Sequence, residues 1–268
     1  MMIDTSSEES KRFANDEEVL SSDEEQERIE EEKQKFTATV TVEGISGPVK
    51  NLLVCSTGNA TALTKIIFDG KMPEVGKAEV TQQEKTKDVM KIFYVLEHQL
   101  LIIHPESVKS AHSGTIIDQL LSKLPNAPHR IIHLDSIYKT NYSTTDSGYF
   151  TLVDGEAYPL KYYKSSHTKS DQVLNTFLAK HQPAGVLNIM GGFSAALLVH
   201  AEMTGLSAAA IHSIVDSHFV TAETLQSFAP VITEVLQIGN SNIEQVSRLG
   251  AFKNVLKEAN TRSNNIYN

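Results

Sequence analysis

Cysteine is almost missing from this chain: Cys55 stands alone among 268 residues. One thiol excludes an internal disulfide framework and any cysteine-rich zinc site. Cys55 ends the apolar stretch Leu52-Leu53-Val54-Cys55. There a thiol acts as a small buried hydrophobe rather than a nucleophile. Long apolar runs are missing too. None approaches the length of a bilayer crossing, so no membrane span is expected. Met1 to Ser10 has neither a basic n-region nor an apolar h-region, so no secretory signal is expected. Basic clusters are also scarce. The 24 Lys and Arg residues are outnumbered by 33 Asp and Glu. With no basic stripe to neutralise phosphates, no nucleic acid is expected as a partner. Together these absences favour a soluble intracellular protein, cytoplasmic and also nuclear.

What is present is unevenly spread. Residues 1–35 hold thirteen acidic and five basic residues, which is most of the formal net charge of −9. They read as a disordered acidic leader. Ser21 and Ser22 precede Asp23-Glu24-Glu25, a context that suits an acid-directed kinase, and phosphate there would deepen the negative charge. Apolar residues make up 40% of the chain, enough for a real core. Residues 36–260 read as a single domain, and residues 261–268 as a flexible tail.

Periodicity supplies the elements. Phe36 to Val42 alternates with period two, and Val49 to Cys55 is a more buried strand. A helix is expected over Ala60 to Phe68. Residues 69–88 are polar, contain Pro73 and Gly76, and read as a loop. Val89 to Leu96 and Leu100 to His104 flank Glu97-His98-Gln99 as a hairpin. Ser110 to Leu124 carries Ile116, Ile117, Leu120, Leu121 and Leu124 on one helical face. Arg130 to Leu134 is a strand, followed by a long polar loop, residues 136–168. That loop is rich in tyrosine, with Tyr138, Tyr142 and Tyr149 as candidate interface residues, since tyrosine gives contact area at low entropic cost. The rival reading is that some of them cover a sheet edge. Asp171 to His181 is a helix, Gly185 to Met190 a buried strand, and Phe193 to Thr204 a helix ending at Gly205. Ala208 to Val215 is a strand. Thr221 to Ile238 is a helix with a break at Pro230, and Ser241 to Glu258 is the last helix. Alternating strands and helices predict an α/β fold with three α/β/α layers and a mixed, largely parallel sheet.

One enzyme candidate stands out. Gly192-Phe193-Ser194-Ala195-Ala196 is a relaxed nucleophile-elbow match between an expected strand and a helix. Ser194 would need a base and an orienting acid, with His212, His218 and Asp216 as the nearest options. The rival reading makes the glycines a tight turn and Ser194 an ordinary helix-start residue. Gly191-Gly192 lacks the further glycines or the lysine of a phosphate loop, so no cofactor is expected. The ten histidines show no metal-ligand register, so no metal is expected.

The chain ends in Ile266-Tyr267-Asn268 after the polar stretch Asn260-Thr261-Arg262-Ser263-Asn264-Asn265. A polar tail that finishes in a branched aliphatic, a phenol and a carboxylate is suited to insertion into another protein. A hydrophobic residue, tyrosine and any last residue form the docking motif (HbYX) of proteins that enter pockets between neighbouring 20S proteasome α-subunits. Ser263 to Asn268 resembles the S-N-I-Y-[polar] ending found among proteasome assembly chaperones. Val220 to Leu225, with Phe228 to Ile232, is similar to their T-V-E-A-F-K-P-I-L segment. Tyr138-Lys139-Thr140 with Ser143-Thr144 resembles their Y-K-T-x-x-S-T stretch. The likeness runs in patches over residues 130–268 and is thin before them.

The resemblance implies a non-catalytic chaperone with a three-layer body. It implies a heterodimer with proteasome assembly chaperone 2, bound to 20S proteasome α-subunits on the outer face of their ring. Ile266 would fill an apolar slot, Tyr267 would stack and hydrogen bond, and the Asn268 carboxylate would meet a lysine. Such a dimer would promote ring assembly, and would block off-pathway ring association and premature docking of regulators. The alternatives from other classes are a serine hydrolase using Ser194 and a generic adaptor.

Overall fold

The computed structural model describes residues 36–68, 71–82, 85–143, 158–185, 187–217 and 219–239. Packing separates Met1–Phe36 from Thr37–Asn268. The described strands and helices belong to the second unit, with Phe36 as the first residue of its first strand. The acidic leader with Ser21 and Ser22, Tyr149, His218, the expected helix Ser241 to Glu258 and the tail Ile266-Tyr267-Asn268 all lie outside the described residues.

Among the described residues nine strands form one sheet in the order β1-β3-β4-β5-β2-β6-β9-β7-β8. β1 (Phe36–Val42) buries Ala38 and Val40, as its alternation predicts. β2 (Asn51–Cys55) is buried throughout. It lies parallel to both β5 (Leu100–Pro105) and β6 (Arg130–Tyr138). β9 (Ser207–Val215) continues the parallel centre beside β6. Strands buried on both faces read as near-continuous apolar runs, which is why these were legible.

Three expectations need correction. Residues 69–88 are not a loop. They form β3 (Glu74–Gln82) and the start of β4 (Lys85–Val95), an antiparallel pair. Only Ala78 and Val80 of β3 are buried. Lys77 meets Glu79 at 2.7 Å and Asp88 at 3.1 Å on the wet face. A one-sided strand needs few apolar residues, so its composition mimics a loop. The loop 136–168 is shorter than expected. β6 runs on to Tyr138, and β7 (Leu160–Lys164) pairs antiparallel with β9. Gly185 to Met190 is not a strand, and Ile189 is 96% exposed. β9 already has β6 on one side and β7 on the other, so the sheet holds no interior place for it. A two-residue β8 (Gln182–Pro183) sits beside β7 instead.

Helices cover both faces. α1 (Gly58–Phe68), α3 (Gln172–Leu178) and α5 (Ala222–Pro230) bury Leu63, Ile67, Leu174, Phe177, Leu225 and Phe228 against Cys55, Leu134 and Ile211. α2 (Ser110–Ser122) and α4 (Gly192–Thr204) pack on each other over the opposite face. Thr221 and Thr224 exchange side-chain and backbone bonds as a capping box at the start of α5. Its regular winding stops at Pro230, and a π turn, Val231–Val235, follows. Proline removes a backbone donor and crowds the preceding turn, so the expected break is real.

Candidate functional site

Crossover direction creates the site. β2 leads into α1 on one face, whereas the neighbouring β5 leads into α2 on the other. Where successive connections leave a parallel sheet in opposite directions, a crevice opens outside the carboxyl ends of the strands. A pocket of ≈ 310 Å³ lies there. Ser56 follows β2, Glu106 and Ser107 follow β5, and Asp135 belongs to β6. Gly191, Gly192 and Ser194 supply the far wall from the start of α4. Gly192 sits at φ +60, a left-handed conformation that suits glycine.

Buried histidines adjoin two of the lining residues, Ser56 and Asp135. Strand register sets Val54, His133 and Ala210 side by side, then Asp135 beside His212. Ser56 Oγ and His133 Nε2 lie 2.5 Å apart, and His133 Nδ1 has no hydrogen-bond partner. A proton on Nε2 leaves only a lone pair orphaned, which costs less than an orphaned N–H. We therefore assign His133 as the donor, which frees the Ser56 hydroxyl hydrogen to point elsewhere. Neither nitrogen of His212 has a hydrogen-bond partner. Its ring stands edge-on to His133 at 6.4 Å and to Tyr163 at 5.7 Å. Burial, helped by the neighbouring His212, pushes His133 down to about 3. Burial pushes His212 down to about 4. Both rings are neutral near pH 7. Burial lifts the Asp135 carboxyl to about 6, against the hydrogen bond from the Ser136 backbone N–H.

The sequence candidates map as follows. Ser194 is 5% exposed and lines the pocket, but no strand precedes it. His212 makes no hydrogen bond to it. Asp216 pairs at 3.9 Å with Lys139 on the surface. The nucleophile elbow is therefore not assembled from these residues. Burial holds the Cys55 thiol far above its ordinary range, which suits an inert core residue. Among the described residues no three His, Cys, Asp or Glu side chains stand close enough to hold a metal. No described helix is long and apolar enough to cross a membrane. Of the loop tyrosines, Tyr138 is half-buried. Tyr142 is 8% exposed, and its hydroxyl accepts from the Gly185 N–H at 3.4 Å. Sequence reasoning missed Ser56, Ser107 and Asp135, whose segments carry no local motif.

A second feature is apolar. α4 buries Phe193, Leu197, Leu198 and Ala201, yet Val199 and Met203 face outward. Leu187 and Ile189, just ahead of the helix, are also exposed.

Solved structures share this fold. PbaA of Pyrococcus furiosus, an archaeal homolog of proteasome-assembly chaperone, superposes with a TM-score of 0.54 at 9% identity, covering 85% of this chain and 99% of that one. PbaB of the same organism, an archaeal proteasome activator, gives 0.56 at 11% identity, covering 83% and 98%. A protein of unknown function from Thermoplasma acidophilum gives 0.57 at 13% identity, covering 93% and 98%. No known family profile and no curated protein matches the sequence.

Proposed function

We propose that this chain is a proteasome assembly chaperone, of the kind represented by proteasome assembly chaperone 1. It pairs with proteasome assembly chaperone 2 and docks on the outer face of the 20S α-subunit ring through its body and its Ile266-Tyr267-Asn268 tail. The observation that carries this reading is the fold shared with PbaA over almost the whole of that protein. The tail motif supports it independently, because nothing in an α/β body calls for Ile-Tyr at the end of a polar segment. The exposed Val199, Met203, Leu187 and Ile189 offer the body an apolar contact surface for the partner chaperone.

Magnitudes decide the arrangement. Burying Ile266 contributes about 2 kcal/mol, and Tyr267 somewhat more. A charge-assisted bond to the terminal carboxylate adds about 1–3 kcal/mol. Ordering the segment costs several kcal/mol in return. One tail alone is therefore weak, and tight docking needs two tails and two bodies joined through effective concentration. Docking requires neither nucleotide nor metal. Occupied pockets exclude other tail-bearing regulators until assembly is finished.

The test is capture of α-rings by the full chain with its partner. Removing Ile266 to Asn268, or adding one residue beyond Asn268, should weaken capture about tenfold or more. Unchanged capture by both variants would remove the tail from the reading. Native co-purification of a different complex without proteasome subunits would replace the whole reading with a generic adaptor.

A further inference from the structure

We propose that the pocket at the carboxyl ends of β2, β5 and β6 binds a small zwitterion, an α-amino acid, with its carboxylate at the start of α4 and its ammonium against Asp135. The inference is independent of tail docking and uses none of the tail residues.

Two poles face each other across the pocket. The first is rich in donors. α4 begins with Gly191 and Gly192, has no side-chain cap and no acidic residue in its first turn. Its leading N–H groups and the positive end of its dipole therefore suit an anion. Three hydroxyls reach the pocket, Ser194 from this wall and Ser56 and Ser107 from the strand ends. Ser194 is 5% exposed and lines the pocket. Ser107 also lines it, and its Oγ is shielded from solvent with no hydrogen-bond partner. Ser56 is freed to donate because His133 Nε2–H already supplies its oxygen. An orphaned buried hydroxyl is costly, and a ligand oxygen would satisfy it.

The second pole is acidic. Asp135 lines the pocket, and among the described residues no lysine or arginine does. A dianionic phosphate would face the Asp135 carboxylate, with no cation among the described lining residues to offset the repulsion. A simple carboxylate would leave Asp135 without a counter-charge. Burial holds that carboxyl well above its usual range, the state that a nearby ammonium relieves. A molecule carrying an anion and a cation a few bonds apart satisfies both poles. The volume of ≈ 310 Å³ accommodates an amino acid with a modest side chain.

The test uses the full-length protein and titration calorimetry with glycine and L-serine as probes. Acetate, methylamine and inorganic phosphate serve as single-pole comparisons. The amino acids should bind saturably, and each comparison should bind about tenfold more weakly or worse. Ser107→Ala and Asp135→Asn should each weaken amino-acid binding by a similar factor. Because Asp135→Asn alters a buried position, the unmutated protein provides a second readout. In its amide spectrum, glycine should shift the Gly191, Gly192, Phe193 and Ser194 signals and leave the outer strands β3 and β8 unmoved. Phosphate binding as tightly as glycine, or glycine binding with those signals unmoved, would overturn the assignment. Absence of saturable binding by either amino acid would overturn it as well.

Discussion

Arg130 and Asp171 form a two-pronged ion pair inside the protein. Arg130 Nε donates to Asp171 Oδ2 at 2.7 Å, and its terminal nitrogen donates to Oδ1 at 2.8 Å. The side chains are 7% and 2% exposed. Both partners have further duties. Asp171 Oδ1 accepts from the Leu174 N–H and caps α3. Arg130 also donates to the Val235 carbonyl at 2.5 Å, where the π turn ends. One pair thus ties β6, α3 and the segment after α5 together.

Removing one partner strands a buried charge. Asp171→Ala should cost about 3–5 kcal/mol, with loss of the cap included. Arg130→Met should cost a comparable amount alone. The double variant Arg130→Met, Asp171→Leu should recover much of the loss, because an apolar pair leaves no unpaired charge. Urea unfolding of the three variants measures this. A double variant as unstable as the sum of the singles would refute the coupling.

Acid should destabilise the body through His133 and His212. Their folded values, about 3 and about 4, lie below the unfolded value of about 6.5. Below pH 6.5 the unfolded chain takes up protons that the folded chain refuses, so stability falls as pH falls. Asp135 works in the opposite direction. Its folded value of about 6 exceeds the unfolded value of about 3.9. It therefore adds stability as pH drops through that window. Two losses against one gain leave these three groups a net fall on the order of 1 kcal/mol per pH unit between pH 6 and pH 4. Urea midpoints measured across that range should decline, more steeply in Asp135→Asn and less steeply in His212→Gln. Identical slopes in all three proteins would contradict the account.

Gly76 marks a close backbone approach. A Cβ there would lie 2.2 Å from the Thr41 carbonyl oxygen of β1, far inside contact distance. Gly76→Ala should therefore push β1 away from β3 and cost about 1–3 kcal/mol. Chemical denaturation reads the loss, and hydrogen exchange should find it concentrated in β1. A neutral Gly76→Ala variant would mean that β1 tolerates displacement.

These positions also explain what the sequence could and could not disclose. Leu100 to His104 and Ala208 to Val215 are strands buried on both faces, and apolar runs expose such strands. α4 was legible from its length and from Gly205, whose φ of +76 ends it. Glu74 to Gln82 was not, because Lys77 and Glu79 occupy the wet side of an outer strand. Leu187 and Ile189 misled in the other direction: apolar residues on a surface imitate a buried strand. The pocket was the least legible feature. Ser56, Ser107, Asp135 and Ser194 come from four segments that only the crossover pattern unites.

The apolar face of α4 separates binding from folding. Val199 and Met203 are four residues apart on one ridge, and Met203 is 81% exposed. Residues at this spacing share a helix face. An exposed position contributes little to the monomer, so Met203→Glu should change stability by no more than about 0.5 kcal/mol. In a complex the same change would bury a carboxylate without a partner, which costs several kcal/mol. If this ridge meets the partner chaperone, Met203→Glu should leave the urea midpoint in place and weaken heterodimer formation about a hundredfold or more. Val199→Lys should do the same from the neighbouring turn. A heterodimer of undiminished affinity in both variants would move the interface elsewhere. A shifted midpoint would instead reveal that the ridge is already covered within the chain.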